Sequence, residues 1–114
     1  MFARHVTLAL KPGCLDEAAR IFAGSALPLL RQQPGFVEAC MLGDDDHGTG
    51  FIIIFWQQAA DSLNLDRQGF YAAQIAKFSH VILCAPVPAL LQVPVSTFGV
   101  AAGAVSMAGR RVLP

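Results

Sequence analysis

The sequence predicts an α+β fold of the ferredoxin-like type. Strands and helices follow the order β-α-β-β-α-β, and a four-stranded antiparallel sheet carries two helices on one face. Three observations predict it. Strand-like and helix-like segments alternate in that order along 114 residues, which is room for one domain. The third strand, Phe51–Trp56, reads Phe-Ile-Ile-Ile-Phe-Trp with no polar alternation, the pattern of a strand covered on both faces. Hydrophobic residues make up 54% of the chain and charged residues 14%, against about 25% charged in typical domains. That is more apolar surface than a lone small globule hides.

The first strand is expected over Ala3–Leu10, with Val6, Leu8 and Leu10 on one face and His5, Thr7 and Ala9 on the other. Lys11-Pro12-Gly13 ends it as a turn. A helix over Leu15–Gln32 follows. Asp16 and Glu17 suit its positive N-terminal end, and Leu15, Ala18, Ala19, Phe22, Ala26 and Leu30 form its apolar stripe. Pro28 should kink or locally break it, and Pro34-Gly35 stops it. The second strand is Phe36–Leu42, joined to the third by the polar, glycine-rich link Gly43–Gly50. A second helical region is expected from Ala59 to Leu83, jointed at Gly69, with Tyr71, Ile75, Phe78 and Ile82 on one stripe. The fourth strand is expected over Ala89–Val95. Pro86, Pro88 and Pro94 around it fit an edge strand.

Right-handed crossovers put the first and third strands at the centre of the sheet. Both helices then cover one face. The six apolar side chains of Phe51–Trp56 are each worth about 1.5–3 kcal/mol when buried, so the other face needs a cover too. A second copy related by a two-fold axis supplies it, and a homodimer with its two sheets face to face is expected.

Eight basic and eight acidic residues cancel and no basic stripe exists, so no nucleic-acid partner is expected. Cys14, Cys40 and Cys84 are odd in number and lack C-x-x-C spacing. They are expected to be reduced, small buried residues of a cytoplasmic protein. The N-terminus lacks a long apolar run and is not read as a signal peptide. Val81–Gly109 holds no Asp, Glu, Lys, Arg or His and is long enough to span a bilayer. Pro86, Pro88 and Pro94 interrupt it, so no membrane partner is expected. Gly99 and Gly103, a G-x-x-x-G, matter only inside a membrane helix.

Several pieces together resemble the antibiotic-biosynthesis monooxygenase group of dimeric α+β barrel proteins. They are a strand ending in Lys11-Pro12-Gly13, a helix ending in Arg31-Gln-Gln-Pro-Gly35-Phe, a hairpin, a strand ending in Phe55-Trp56, and Gln57-Gln58-Ala59-Ala60-Asp61 leading into a helix. The resemblance covers residues 2–95, taken as one domain of 1–95. Residues 96–114 form a small-residue tail, expected to be an arm on the partner subunit or a short helix. The resemblance implies a pocket between sheet and helices. It also implies a cofactor-independent monooxygenase acting on an aromatic, phenol-like molecule. A non-catalytic dimeric barrel that holds a small aromatic or apolar ligand is the alternative.

Candidate site residues follow from the resemblance and from residue chemistry. Trp56 matches the Trp that many of these enzymes place in the pocket wall, where its N–H can donate to a substrate oxygen; otherwise it is a core residue. His5, if it faces the pocket, can take a phenolic proton; otherwise it lies at the dimer surface. Tyr71 is the third catalytic candidate. Asn64 and Gln74 can hydrogen-bond a ligand, and Phe78 can wall it. His80 is read as a helix-end residue. No metal and no cofactor is expected. Asp44-Asp45-Asp46-His47 lacks EF-hand spacing and reads as a solvated loop. Related haem-degrading proteins carry an axial histidine on the second helix. That place falls near Gln74 here, and amides are not usual haem ligands, so haem is disfavoured.

Overall fold

The computed structural model of the chain describes residues 1–98. Strand β1 (Phe2–Ala9) leads into helix α1 (Leu15–Ile21), a π-helical turn (Phe22–Ala26) and helix α2 (Leu27–Leu30). Strands β2 (Phe36–Asp44) and β3 (Thr49–Trp56) form a hairpin. Helices α3 (Ala59–Arg67) and α4 (Phe70–Ala76) follow, and strand β4 (Val87–Gln92) closes the sheet. The order across the sheet is β2-β3-β1-β4 and every neighbouring pair is antiparallel. The predicted α+β ferredoxin-like arrangement is therefore the observed one, with the apolar strand central and the proline-rich strand at an edge.

The break near Pro28 takes the form of a π-helical turn. Proline has no N–H to bond the carbonyl four residues back, and its ring crowds that carbonyl. The helix widens over Phe22–Ala26 and resumes with Pro28 in the first turn of α2. Gly69, at φ +78, makes the joint between α3 and α4, a backbone conformation glycine adopts at little cost. The second helical region ends at Ala76, not at Leu83. Beyond it the chain tightens into turns, with Lys77 and Phe78 donating to the carbonyls of Gln74 and Ile75. Ile82 then bridges to Leu10, and the Leu83 N–H bonds the Ala9 carbonyl. Phe78 and Val81 are buried all the same, so the apolar spacing outlasts the helix that suggested it.

The pleat sorts the strand side chains. Val6, Leu8, Leu10, Ile52, Ile54 and Trp56 face the helices and form the core with Ala18, Phe22 and Leu30. On the opposite face β3 presents Phe51, Ile53 and Phe55. Register places Ala3, His5 and Thr7 of β1 beside them, with Cys40 and Leu42 of β2 and Val87 and Leu91 of β4 further out. Among the described residues no second layer covers this face. Phe98 reaches it and meets Phe55 edge-on, ring centres 4.6 Å apart. Of the expected tail, residues 99–114, including Gly99 and Gly103, lie outside the described residues.

No helix among the described residues is long and apolar enough to cross a membrane. None of the three cysteines is in a disulfide, but Cys40 and Cys84 are exposed, correcting the expectation that each fills a buried site. Cys40 falls on the open sheet face and Cys84 in the loop before β4, so among the described residues neither has a layer above it.

Candidate active site

Between the sheet and the helices lies an aromatic-walled cavity. Ile52 and Ile54 form its floor, and Phe22, Phe70 and Phe78 wall it from the helical side. Its polar members are Arg4, Tyr71 and Gln74. Free space amounts to about 370 Å3 with the mouth included, much of it crevice too narrow to centre a water molecule. A ring-sized occupant therefore requires the flanking side chains to shift. A second, outer recess adjoins it. The recess shares Arg4, Val6, Tyr71 and Ile75 and extends to Asp66, Pro86 and Pro88 beside the edge strand.

Arg4 lines both spaces. Alternation along β1 puts it on the same face as Val6 and Leu8, in line with Ile54 on β3 and Leu90 on β4. Its guanidinium carbon lies 3.6 Å from the centre of the Tyr71 ring, a cation–π stack. Its Nε is buried without a hydrogen-bond partner among the described residues. Burial pulls the guanidinium pKa down, and the nearby Tyr71 and Asp66 work against that. Asp66 makes no ion pair with it; among the described residues the only ion pairs involve Glu17 and Asp44.

The Tyr71 hydroxyl is 2.8 Å from Ser62 Oγ, and both residues are buried. Burial pushes the phenol's pKa up; the Ser62 hydrogen bond and the Arg4 charge act in the opposite direction. The Trp56 indole N–H lies near the same hydroxyl but is buried without a hydrogen bond among the described residues. Gln74 Oε1 accepts from Ser25 Oγ at 2.8 Å, and Ser25 Oγ accepts from Lys77 Nζ at 2.6 Å.

Of the residues singled out from the sequence, Tyr71, Gln74 and Phe78 line the cavity. Trp56 does not. It is wholly buried, edge-on to Phe36 at 6.0 Å, and so belongs to the core. Asn64 is on the outer side of α3, accepts from Arg67 at 3.0 Å and lines a separate groove. His5 faces the other side of the sheet and stacks on Phe51 at 5.3 Å. The reason is the two-residue period of a strand: Arg4 and Val6 point to the helices, so His5 between them cannot. A base at His5 is thereby withdrawn from this cavity. His80 is exposed near Glu17, 3.5 Å away. Asp44 and His47 pair with each other at 2.7 Å on the exposed hairpin, and no group of three metal-ligating side chains occurs among the described residues.

The sequence reading missed Arg4. The signal was present: a lone charge in phase with Val6, Leu8 and Leu10 on a strand face that is otherwise apolar.

Solved structures share this architecture. The chain is similar to SnoaB of Streptomyces nogalater, described as a cofactor-independent oxygenase. The identity is 15% and the TM-score 0.67, over 84% of this chain and 95% of that one. It is similar to the monooxygenase ActVA-Orf6 of Streptomyces coelicolor, solved with nanaomycin D, at 16% identity and a TM-score of 0.72 over 85% and 90%. It is also similar to NE2512 of Nitrosomonas europaea, a protein of unknown function, at 22% identity and a TM-score of 0.65 over 85% and 92%. No protein-family model and no curated protein matches the sequence. The likeness fixes the fold as that of the antibiotic-biosynthesis monooxygenases.

Proposed function

We propose that the chain is a cofactor-independent monooxygenase acting on a small aromatic, phenol-like molecule. The observation that carries this reading is an aromatic-walled cavity in which a half-buried guanidinium has a buried donor without a partner among the described residues. Two proteins of the same fold, SnoaB and ActVA-Orf6, are described as an oxygenase and a monooxygenase, which supports it. In this reading the substrate anion itself supplies the electrons. For anthrone, the ring CH2 becomes C=O: one atom of O2 enters the carbon, and the other leaves as water with the two hydrogens. The protein contributes dry surroundings, a positive charge beside the developing anion, and rings that hold the substrate flat.

The test is oxygen uptake by metal-free protein given anthrone and related hydroxylated anthracenes. One O2 consumed per anthraquinone formed, at a rate above the protein-free reaction, is the expected result. No uptake across such a panel refutes the reading. The position of His5 favours a second reading, a non-catalytic binding protein, because among the described residues no His, Asp or Glu lines the inner cavity. Tight binding of the same compounds without oxygen uptake selects it.

The assembly that goes with either reading is a homodimer joined through Phe51, Ile53 and Phe55. Ile53→Asp places a carboxylate amid that face without touching the cavity. Light scattering after size-exclusion chromatography should show a dimer for the parent protein and a monomer for this variant. A monomeric parent defeats the dimer.

A further inference from the structure

The charged and amide groups that the cavity offers to an occupant, Arg4 and Gln74, are donors. Lys77 has only N–H groups to give, so at 2.6 Å it donates to Ser25 Oγ. The Ser25 proton is then free for Gln74 Oε1 at 2.8 Å. This fixes the amide: its oxygen is engaged by Ser25, and its NH2 remains for another partner. Gln74 is itself largely buried, 8% exposed, and it lines the cavity. Arg4 has five N–H groups and no acceptor, and its buried Nε is unpaired among the described residues. The Tyr71 hydroxyl is engaged with Ser62. Asp66, the carboxylate of the outer recess, forms no ion pair with Arg4.

A cation and an amide NH2 over an apolar floor fit an occupant that presents acceptors and negative charge. We infer that the cavity selects an aromatic molecule carrying an anionic oxygen, a carboxylate or an ionised hydroxyl, which takes hydrogen bonds from Arg4 and Gln74 while its ring lies among Phe22, Phe70 and Phe78. This rests on the same cavity as the proposed oxygenase, but it concerns which occupant is preferred, not whether oxygen reacts with it. Arg4 is then the specificity-determining residue, and the Lys77–Ser25–Gln74 chain positions the second donor.

Isothermal titration calorimetry with three naphthalenes of similar shape tests this. They are 2-naphthoate, naphthalene-2-carboxamide as its neutral counterpart, and 2-naphthol. Naphthoate should bind at least about tenfold tighter than the carboxamide, the low end for a hydrogen bond to a charged group. Arg4→Met keeps an apolar stem and removes the charge. It should erase that preference, with naphthoate losing more affinity than the carboxamide, whose carbonyl also accepts from Arg4. If the hydroxyl is the source of the anion, 2-naphthol bound at pH 7.5 should show the red-shifted absorption of naphtholate; without that shift, the anion is the carboxylate. Equal affinities for naphthoate and carboxamide overturn the inference, and so does a preference that survives Arg4→Met. Should Arg4→Met not fold, the comparison on the parent protein still decides. Carboxamide binding with no preference leaves the oxygenase reading standing, and failure of all three to bind overturns the inference while oxygen uptake with anthrone still decides the oxygenase reading.

Discussion

Removing the Tyr71 hydroxyl separates its hydrogen bond from its ring. Tyr71→Phe leaves the aromatic face that stacks under Arg4 at 3.6 Å and deletes only the oxygen that meets Ser62 at 2.8 Å. Ser62 is 2% exposed, so its hydroxyl has no access to water in exchange. The lost bond costs about 0.5–1.5 kcal/mol net, and a stranded buried hydroxyl raises the cost towards 1–3 kcal/mol. A loss near 2 kcal/mol lowers the melting temperature by about 8 °C or more for a domain of this size. Trp56 is the only tryptophan in the chain and sits beside this hydroxyl, so its fluorescence reports urea unfolding. The decisive comparison is the double variant Ser62→Ala with Tyr71→Phe. Removing both partners leaves no orphan, and the double variant should be more stable than the sum of the single losses by about 1 kcal/mol or more. Strict additivity, or a Tyr71→Phe variant within 0.5 kcal/mol of the parent, roughly the noise of such cycles, refutes the argument that this bond is a closed, buried pair.

Three further outcomes follow from other parts of the fold. Phe78 is 1% exposed, and Phe78→Ala should cost about 3–5 kcal/mol by opening a void in the core, read as a lower urea midpoint or as failure to fold. Gly35 has φ +83, and a Cβ there would collide with the Asp61 carboxylate, whose Oδ2 accepts the Gln58 N–H at 3.0 Å at the start of α3. Gly35→Ala should therefore cost about 1–3 kcal/mol in backbone strain alone, with part of the further loss absent in an Asp61→Ala background. The raised pKa of Tyr71 means that the folded state holds the phenolic proton more tightly than the unfolded chain does. That contribution is complete below the ordinary tyrosine value of about 10 and is lost as pH rises through the folded value. Stability should fall above about pH 10, and Tyr71→Phe should flatten that decline; an equal decline in the variant assigns it elsewhere.

The fold was legible because its signals are redundant. Phe51–Trp56 announces a central strand by composition, Pro86, Pro88 and Pro94 announce an edge, and a right-handed crossover rule orders the rest. What the sequence blurred is local. Apolar spacing through Phe78 and Val81 reads as more helix, yet burial depends on where a side chain ends up, and a turn delivers these two to the core as well as a helix does. The kink at Pro28 was foreseeable from the missing N–H; its form, a π-helical turn that carries Ser25 to Gln74, required the three-dimensional neighbour.

The site was half legible, and the difference lies in one strand's phase. A strand offers only two directions, so once Val6, Leu8 and Leu10 are assigned to the core, Arg4 goes with them and His5 goes to the other face. Chemical expectation pointed to the histidine because its pKa suits proton transfer near neutral pH. The pleat places the arginine there instead. A permanent cation does not accept a proton, so in the proposed reading Arg4 stabilises the substrate anion and does not abstract the proton. Trp56 illustrates the same point at the strand's far end. It faces the helices as the resemblance implies, but it does not line the cavity; Tyr71, whose hydroxyl lies near the indole, does. Tyr71, Gln74 and Phe78 reach the cavity because α4 and the turns after it pack along its length, whereas Asn64, on the outer side of α3, is turned away from it.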